Sequence, residues 1–161
     1  MMQRSQQHEF MHTLETPVGR LFLVFKKSYL VGISFDRPPE IPLRQHTDIA
    51  AHAVKELSEY FRKERRLFSV NTAFQEGTDF EQRVWSTLTD IPYGETRSYK
   101  WLAERTGNQK AARAVGTALG KNPLPIIFPC HRIIESDGSL GGYTPGTDIK
   151  RRLLEIEYYN K

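Results

Sequence analysis

The hydrophobic pattern of this chain changes period once, at the polar stretch Gln75-Glu76-Gly77-Thr78. Before it, apolar residues come in short runs suited to strands; after it, they recur at helical spacing. A chain of 161 residues can form one domain or two small ones. The switch predicts two, residues 1–76 and 77–161, in an α+β protein. In the first part, Phe10 to Thr16 ends at the turn Pro17-Val18-Gly19, Arg20 to Phe25 reads as a buried strand, and Tyr29 to Phe35 as a third. Asp48 is placed to cap a helix reaching about Glu64, with Ala50, Val54, Leu57, Tyr60 and Phe61 near helical spacing. Leu67 to Thr72 is expected to add one more strand. None of this carries an evident catalytic residue.

The second part reads as helices. Thr78 or Asp79 begins one with Phe80, Val84, Trp85 and Leu88, and Ile91-Pro92-Tyr93-Gly94 stops it. Ser98 caps a short helix ending at Gly107. Asn108 opens another, which Asn122-Pro123 halts. Two short helices joined through Thr-Gly-Asn make either a helix-turn-helix or an ordinary αα-hairpin. The net charge of +4 is mild, but from Arg97 to Arg132 there are seven basic residues and one acid, Glu104. Such a window is a phosphate-contacting face or a solvated one. The second helix of the pair, AARAVGTALG, surrounds one long cation, Arg113, with small residues. Its slimness suits close packing on a neighbouring helix, or entry into a narrow DNA groove with Arg113 reaching deepest.

The last helix, capped by Thr147 or Asp148, carries the apolar stripe Ile149, Leu153 and Ile156, with Lys150, Arg151 and Arg152 facing elsewhere. Glu157 falls on that stripe, so it is either solvated at its end or paired with an interior group. Cys130 is the only cysteine, which excludes an intramolecular disulfide framework and any multi-cysteine zinc site. In its apolar setting it is a small core residue or an activated nucleophile. Activation needs a base, and His131 is adjacent. An extended backbone would point the two side chains apart, so a turn at Pro129 or a bridging water is required. Glu157 is the best candidate to orient His131. The start, MMQRSQQHEF, has no apolar signal region and reads as a polar tail. No run approaches a membrane span. A cytoplasmic protein with no membrane partner is expected.

Pro129-Cys130-His131-Arg132, followed by Ile133-Ile134, resembles the active-site signature of the O6-alkylguanine-DNA alkyltransferases, the methylated-DNA–protein-cysteine methyltransferases. The likeness runs from about Phe80 to Glu157 and includes Pro92-Tyr93-Gly94-Glu95, Ser98-Tyr99, Ala112-Arg113-Ala114-Val115-Gly116, Asn122-Pro123-Leu124-Pro125-Ile126 and Gly142-Tyr143. It implies a small, supportive ribonuclease-H-like N-terminal domain followed by a winged helix-turn-helix domain that binds duplex DNA from the minor groove, acting as a monomer. The lesion-bearing nucleotide would be flipped into the protein, with Arg113 filling its place. Ala112, Ala114, Gly116 and Arg132 would lie on the DNA-binding face. Cys130 would take the alkyl group from O6-alkylguanine, or from O4-alkylthymine, in one irreversible displacement. His131 would accept the thiol proton through a water, oriented by Glu157, and Tyr99 would donate to guanine N3. The backbone near Thr144 would contact O6, the carbonyls of Cys130 and Ile133 would read the exocyclic amine, and Asn122 would pin the active-site turn. No metal or organic cofactor is implied. Around Tyr143 the family pattern Gly-Tyr-x-Gly-Gly is broken by Pro145, which is expected to stiffen the pocket wall and narrow acceptance of bulky adducts. Related proteins that sense alkylguanine without repairing it lack the cysteine. The same residues would also suit a winged-helix regulator whose Cys130 is structural, or a cysteine hydrolase that turns over repeatedly.

Overall fold

The computed structural model describes residues 9–44, 47–107 and 109–161. The chain divides into two compact units, one ending at Gln75 and the other running Glu76–Lys161. The polar N-terminal tail to residue 8, and Asn108 as the opening of the second helix, lie outside the described residues.

The first unit is an antiparallel meander with one helix. Strands β1 (Glu9–Thr16), β2 (Gly19–Lys26) and β3 (Tyr29–Ser34) pair in sequence order. Thr16 and Gly19 close the first hairpin around Pro17 and Val18. Met11, Leu21, Leu23, Phe25 and Leu30 are wholly buried, and Ala53, Leu57 and Tyr60 of helix α1 (Asp48–Phe61) cover them. Three expectations fail here. Thr47, not Asp48, caps α1 by accepting from the Ala50 amide, and the helix stops at Phe61 because Lys63 adopts a φ of 65°. Leu67 to Thr72 forms no strand. The amides of Ser69 and Val70 donate to the buried Glu56 carboxylate at 2.9 Å each, so they cannot join a ladder, and only a single bridge, Thr72 to Leu30, remains.

In the second unit a capping box between Thr78 and Glu81 starts helix α2 (Asp79–Thr87). A 3-10 turn, Leu88–Asp90, continues it. Strand β4 (Arg97–Ser98) leads into α3 (Tyr99–Thr106), whose cap is Ser98. A 3-10 turn, Gln109–Ala111, precedes α4 (Ala112–Gly120), so the second helix of the pair is shorter than its sequence pattern. Strand β5 (Ile133–Ile134) runs parallel to β4, and α5 (Thr147–Tyr158) begins at Gly146, whose φ of 120° turns the chain without a side-chain cap. Trp85 locks α2 to α4 by donating from Nε1 to the Ala118 carbonyl at 2.7 Å. Val84, Leu88, Leu102, Val115, Leu124, Ile133 and Leu153 complete a fully buried core. Among the described residues no helix is long and apolar enough to cross a membrane.

Candidate active site

The segment between α4 and β5 is folded back on itself by Asn122. Its side-chain oxygen accepts from the Leu124 amide at 3.0 Å, and its amide donates to the Phe128 carbonyl at 2.8 Å. Within this loop the buried Ile126 takes a φ of 77°, a strained conformation for a β-branched residue. The loop delivers Cys130 into a 3-10 turn, Cys130–Arg132, rather than an extended backbone. The required turn after Pro129 is therefore present.

Cys130 opens into a cavity of about 210 Å³ lined by Tyr99 from α3, Gly116, Leu119 and Gly120 from α4, and Gly142, Tyr143 and Thr144. Drug-sized ligand sites run to ~300–1,000 Å³; this one is on the scale of a single flat base. A larger cleft of about 570 Å³, between Gly94–Arg97 and the end of α5, is not lined by the cysteine. Among the described residues, no three His, Cys, Asp or Glu side chains gather to hold a metal ion.

Behind Cys130, His131 is completely buried. Its Nε2 donates to Glu157 Oε2 at 2.6 Å, which leaves Nδ1 as the basic nitrogen; it is buried with no protein partner. Glu157 also accepts from Arg132 Nε at 2.8 Å and Nη2 at 3.1 Å. Burial alone would raise the Glu157 pKa, but His131 and Arg132 outweigh it and hold the carboxylate ionised far below the usual range. The paired reading of Glu157 is the observed one. The Cys130 thiol is pushed up by burial, an effect partly offset by Asn122, Tyr143 and Lys150, so at rest it needs a base to become a thiolate.

Several expected site residues are placed otherwise. Arg132, expected on a DNA-binding face, is only 6% exposed; it is spent on Glu157 and on the Ile91 carbonyl at 2.8 Å and lies against the Tyr93 ring. Three of its five N–H donors are engaged inside the protein, and its burial keeps the guanidinium off any exposed face. Pro145 does not line the cavity; it is half-buried in the turn closed by Gly146 donating to the Tyr143 carbonyl, and Thr144 forms the wall instead. Ile133 and Asn122 also stand outside the lining, Ile133 as a buried β5 residue and Asn122 as the pin described above. Besides Arg132, three more of the window's seven basic residues are paired: Arg97 with Glu95, Arg105 with Asp90 and Lys121 with Glu81. Ala112, Arg113, Ala114 and Gly116, by contrast, form an exposed face of α4. A Cβ added to Gly116 would meet nothing within 4 Å, so no packing inside the protein requires glycine there.

Lys150, expected to face elsewhere, is fully buried. Its Nζ donates to the Leu140 carbonyl and, at 3.1 Å, to that of Gly142, and it lies 6.0 Å from the centre of the Tyr99 ring. The spacing carries a signal for this: Lys150, Leu153 and Glu157 stand at i, i+3 and i+7 and are the buried face of α5.

Residues 79–159 match the family model described as the 6-O-methylguanine DNA methyltransferase DNA-binding domain. A methylated-DNA–protein-cysteine methyltransferase of Mycobacterium bovis is 46% identical over 149 residues, covering 90% of this chain and 90% of that protein. One of Methanosarcina acetivorans is 41% identical, covering 89% and 94%. The crystal structure of Mycobacterium tuberculosis OGT in complex with DNA superposes with a TM-score of 0.87 at 41% identity, over 94% of each chain.

Proposed function

The chain belongs to the methylated-DNA–protein-cysteine methyltransferases, and from that membership we propose that Cys130 accepts the alkyl group of O6-alkylguanine in duplex DNA, once per molecule. The observation that carries this reading is the single cysteine lining a base-sized cavity between an exposed, slim helix and the Gly142–Thr144 loop.

In this reading the exposed face of α4 enters the minor groove. Its small residues allow close approach, and Arg113 fills the space left by a nucleotide turned out into the cavity. Extruding a base costs a few kcal/mol, less for a poorly paired lesion, which favours damaged over intact guanine. The thiol proton passes through a water to His131 Nδ1, and the ionised Glu157 stabilises the imidazolium that forms. The Cys130 sulfur then bonds to the alkyl carbon as the bond from that carbon to O6 breaks. The electron pair leaves on guanine, and the proton taken from the thiol returns to the base. Guanine is a poor leaving group, so a donor such as the Tyr99 hydroxyl at N3 assists where charge develops. The thioether remains on the protein, because its C–S bond, unlike a disulfide, is not opened by thiol exchange. We take residues 77–161 as the winged helix-turn-helix domain that performs this chemistry and residues 1–76 as a ribonuclease-H-like support.

Intact mass after mixing with excess duplex containing O6-methylguanine tests the proposal. The expected result is one added methyl group on the wild type and none on Cys130→Ala. Tight binding to the lesion duplex at unchanged mass would make the protein an alkylguanine sensor and refute the transfer.

A further inference from the structure

Gly141, next to the cavity-lining Gly142, separates two polar groups, one of them the lining Tyr99. Its φ is 71°, and a Cβ built on it would stand 3.0 Å from the Tyr99 hydroxyl and 3.1 Å from Glu135 Oε1. The two groups therefore flank one gap. Glu135 is brought there by a tight turn: its amide donates to the Ser139 carbonyl at 2.9 Å, and its carbonyl accepts from Gly138 at 3.0 Å. On the inner side of the same loop, the buried Lys150 grips the carbonyls on either side of Gly141, those of Leu140 and Gly142. Among the described residues no carboxylate lies within ion-pair distance of Lys150. A buried cation without a paired anion is costly, and any negative charge that develops nearby gains from it.

We propose, resting on the alkyl-transfer reading above, that Glu135 is a positioning residue that restrains the reaction, its carboxylate opposing through Tyr99 and Lys150 the assistance those groups give to Cys130. Three consequences of its charge share one sign. Burial lowers the Lys150 pKa, and the charges of Cys130 and Glu135 both oppose that fall, so the carboxylate and the nascent thiolate draw on the same buried cation. Burial first, and then Glu135 and Cys130, raise the Tyr99 pKa, which makes its hydroxyl a weaker donor to a departing guanine. Glu135 is also exposed beside the cavity, where it repels DNA phosphates. The loop geometry thus sets reactivity below what the same site would reach with a neutral side chain.

Wild type, Glu135→Gln and Glu135→Asp are compared in two assays. One is single-turnover methyl transfer from an O6-methylguanine duplex; the other is the pH profile of Cys130 alkylation by iodoacetamide. Glu135→Gln should speed transfer roughly two- to fivefold, the scale of one exposed charge interaction, and shift the iodoacetamide profile to lower pH. Glu135→Asp, which keeps the charge, should stay with the wild type in both. Transfer or a profile that stays at the wild-type value in Glu135→Gln overturns the proposal. Absence of methyl transfer to the wild type would instead sink the proposed function, while the iodoacetamide profile would still test Glu135.

Discussion

Gly116 lies in the middle of α4, where an alanine would ordinarily be the better residue. Glycine in a helix interior is worse than alanine by ~0.5–1 kcal/mol, because its backbone loses more freedom on folding. Its φ is not positive, and an added Cβ meets nothing within 4 Å. Gly116→Ala should therefore stabilise the free protein by that amount, raising Tm by ~1–4 °C for a chain of this size. Against DNA the sign reverses. If α4 docks through its slim face, the added methyl group overpacks a close contact, which costs ~1–3 kcal/mol. That corresponds to roughly 5–150-fold weaker binding of an O6-methylguanine duplex. Thermal unfolding and duplex titration measure the two halves. Because Gly116 also borders the cavity, the rate of Cys130 alkylation by iodoacetamide serves as control and should hardly change. A variant that is more stable and binds the duplex as tightly as the wild type would refute the docking of α4. A less stable variant would refute the account of glycine in the helix.

Arg113→Ala should leave thermal stability within about 0.5 kcal/mol, as for an ordinary surface substitution. Methyl transfer from a lesion duplex should fall about tenfold or more, since extruding a base costs a few kcal/mol, while iodoacetamide reactivity is unchanged. Glu157→Gln should destabilise the protein by ~3–5 kcal/mol, because it leaves the buried Arg132 guanidinium unpaired, and urea unfolding measures this. Glu157 and Glu56 both have folded pKa values below the ordinary carboxylate range; at Glu56, burial is outweighed by hydrogen bonds from Ser69 and Val70 and by Arg65. Each contributes stability that is fully present above that range and lost as pH falls through it toward the lower folded values. Acid unfolding of Glu157→Gln and Glu56→Gln should accordingly depend less on pH than that of the wild type, and equal slopes would contradict the assignment.

The meander and the two short helices are legible because each is specified locally, by alternation, turn residues and caps such as Ser98 and Thr78. What the sequence misplaces depends on long-range partners. Leu67 to Thr72 has strand-like composition, but strand formation requires free amides, and Glu56, thirteen residues before Ser69, takes those of Ser69 and Val70. The end of α1 is set by one backbone torsion at Lys63, for which a lysine gives no sign.

The same distinction separates the readable from the hidden parts of the site. Cys130 and His131 announce themselves by adjacency, and Glu157 by being a carboxylate on a stripe. The apolar stripe runs through Ile149 and Ile156, yet both are only half-buried, and the interior face is Lys150, Leu153 and Glu157. Hydrophobicity locates the face wrongly because two of its three members are charged. A helix that buries a lysine and a glutamate in place of apolar residues gives up transfer free energy at both positions. Here each charge has a task that an apolar side chain could not perform: Lys150 grips the loop over Tyr99, and Glu157 holds His131 and Arg132 together. Arg132 misleads for the complementary reason. A cation beside a basic window looks like a phosphate ligand until its carboxylate partner, twenty-five residues later, is known. The buried charges of α5 and the 3-10 turn form one network, so a change in any member should disturb the others non-additively. The double variant Arg132→Met/Glu157→Gln should accordingly be more stable to urea than Glu157→Gln alone, because it removes the stranded cation.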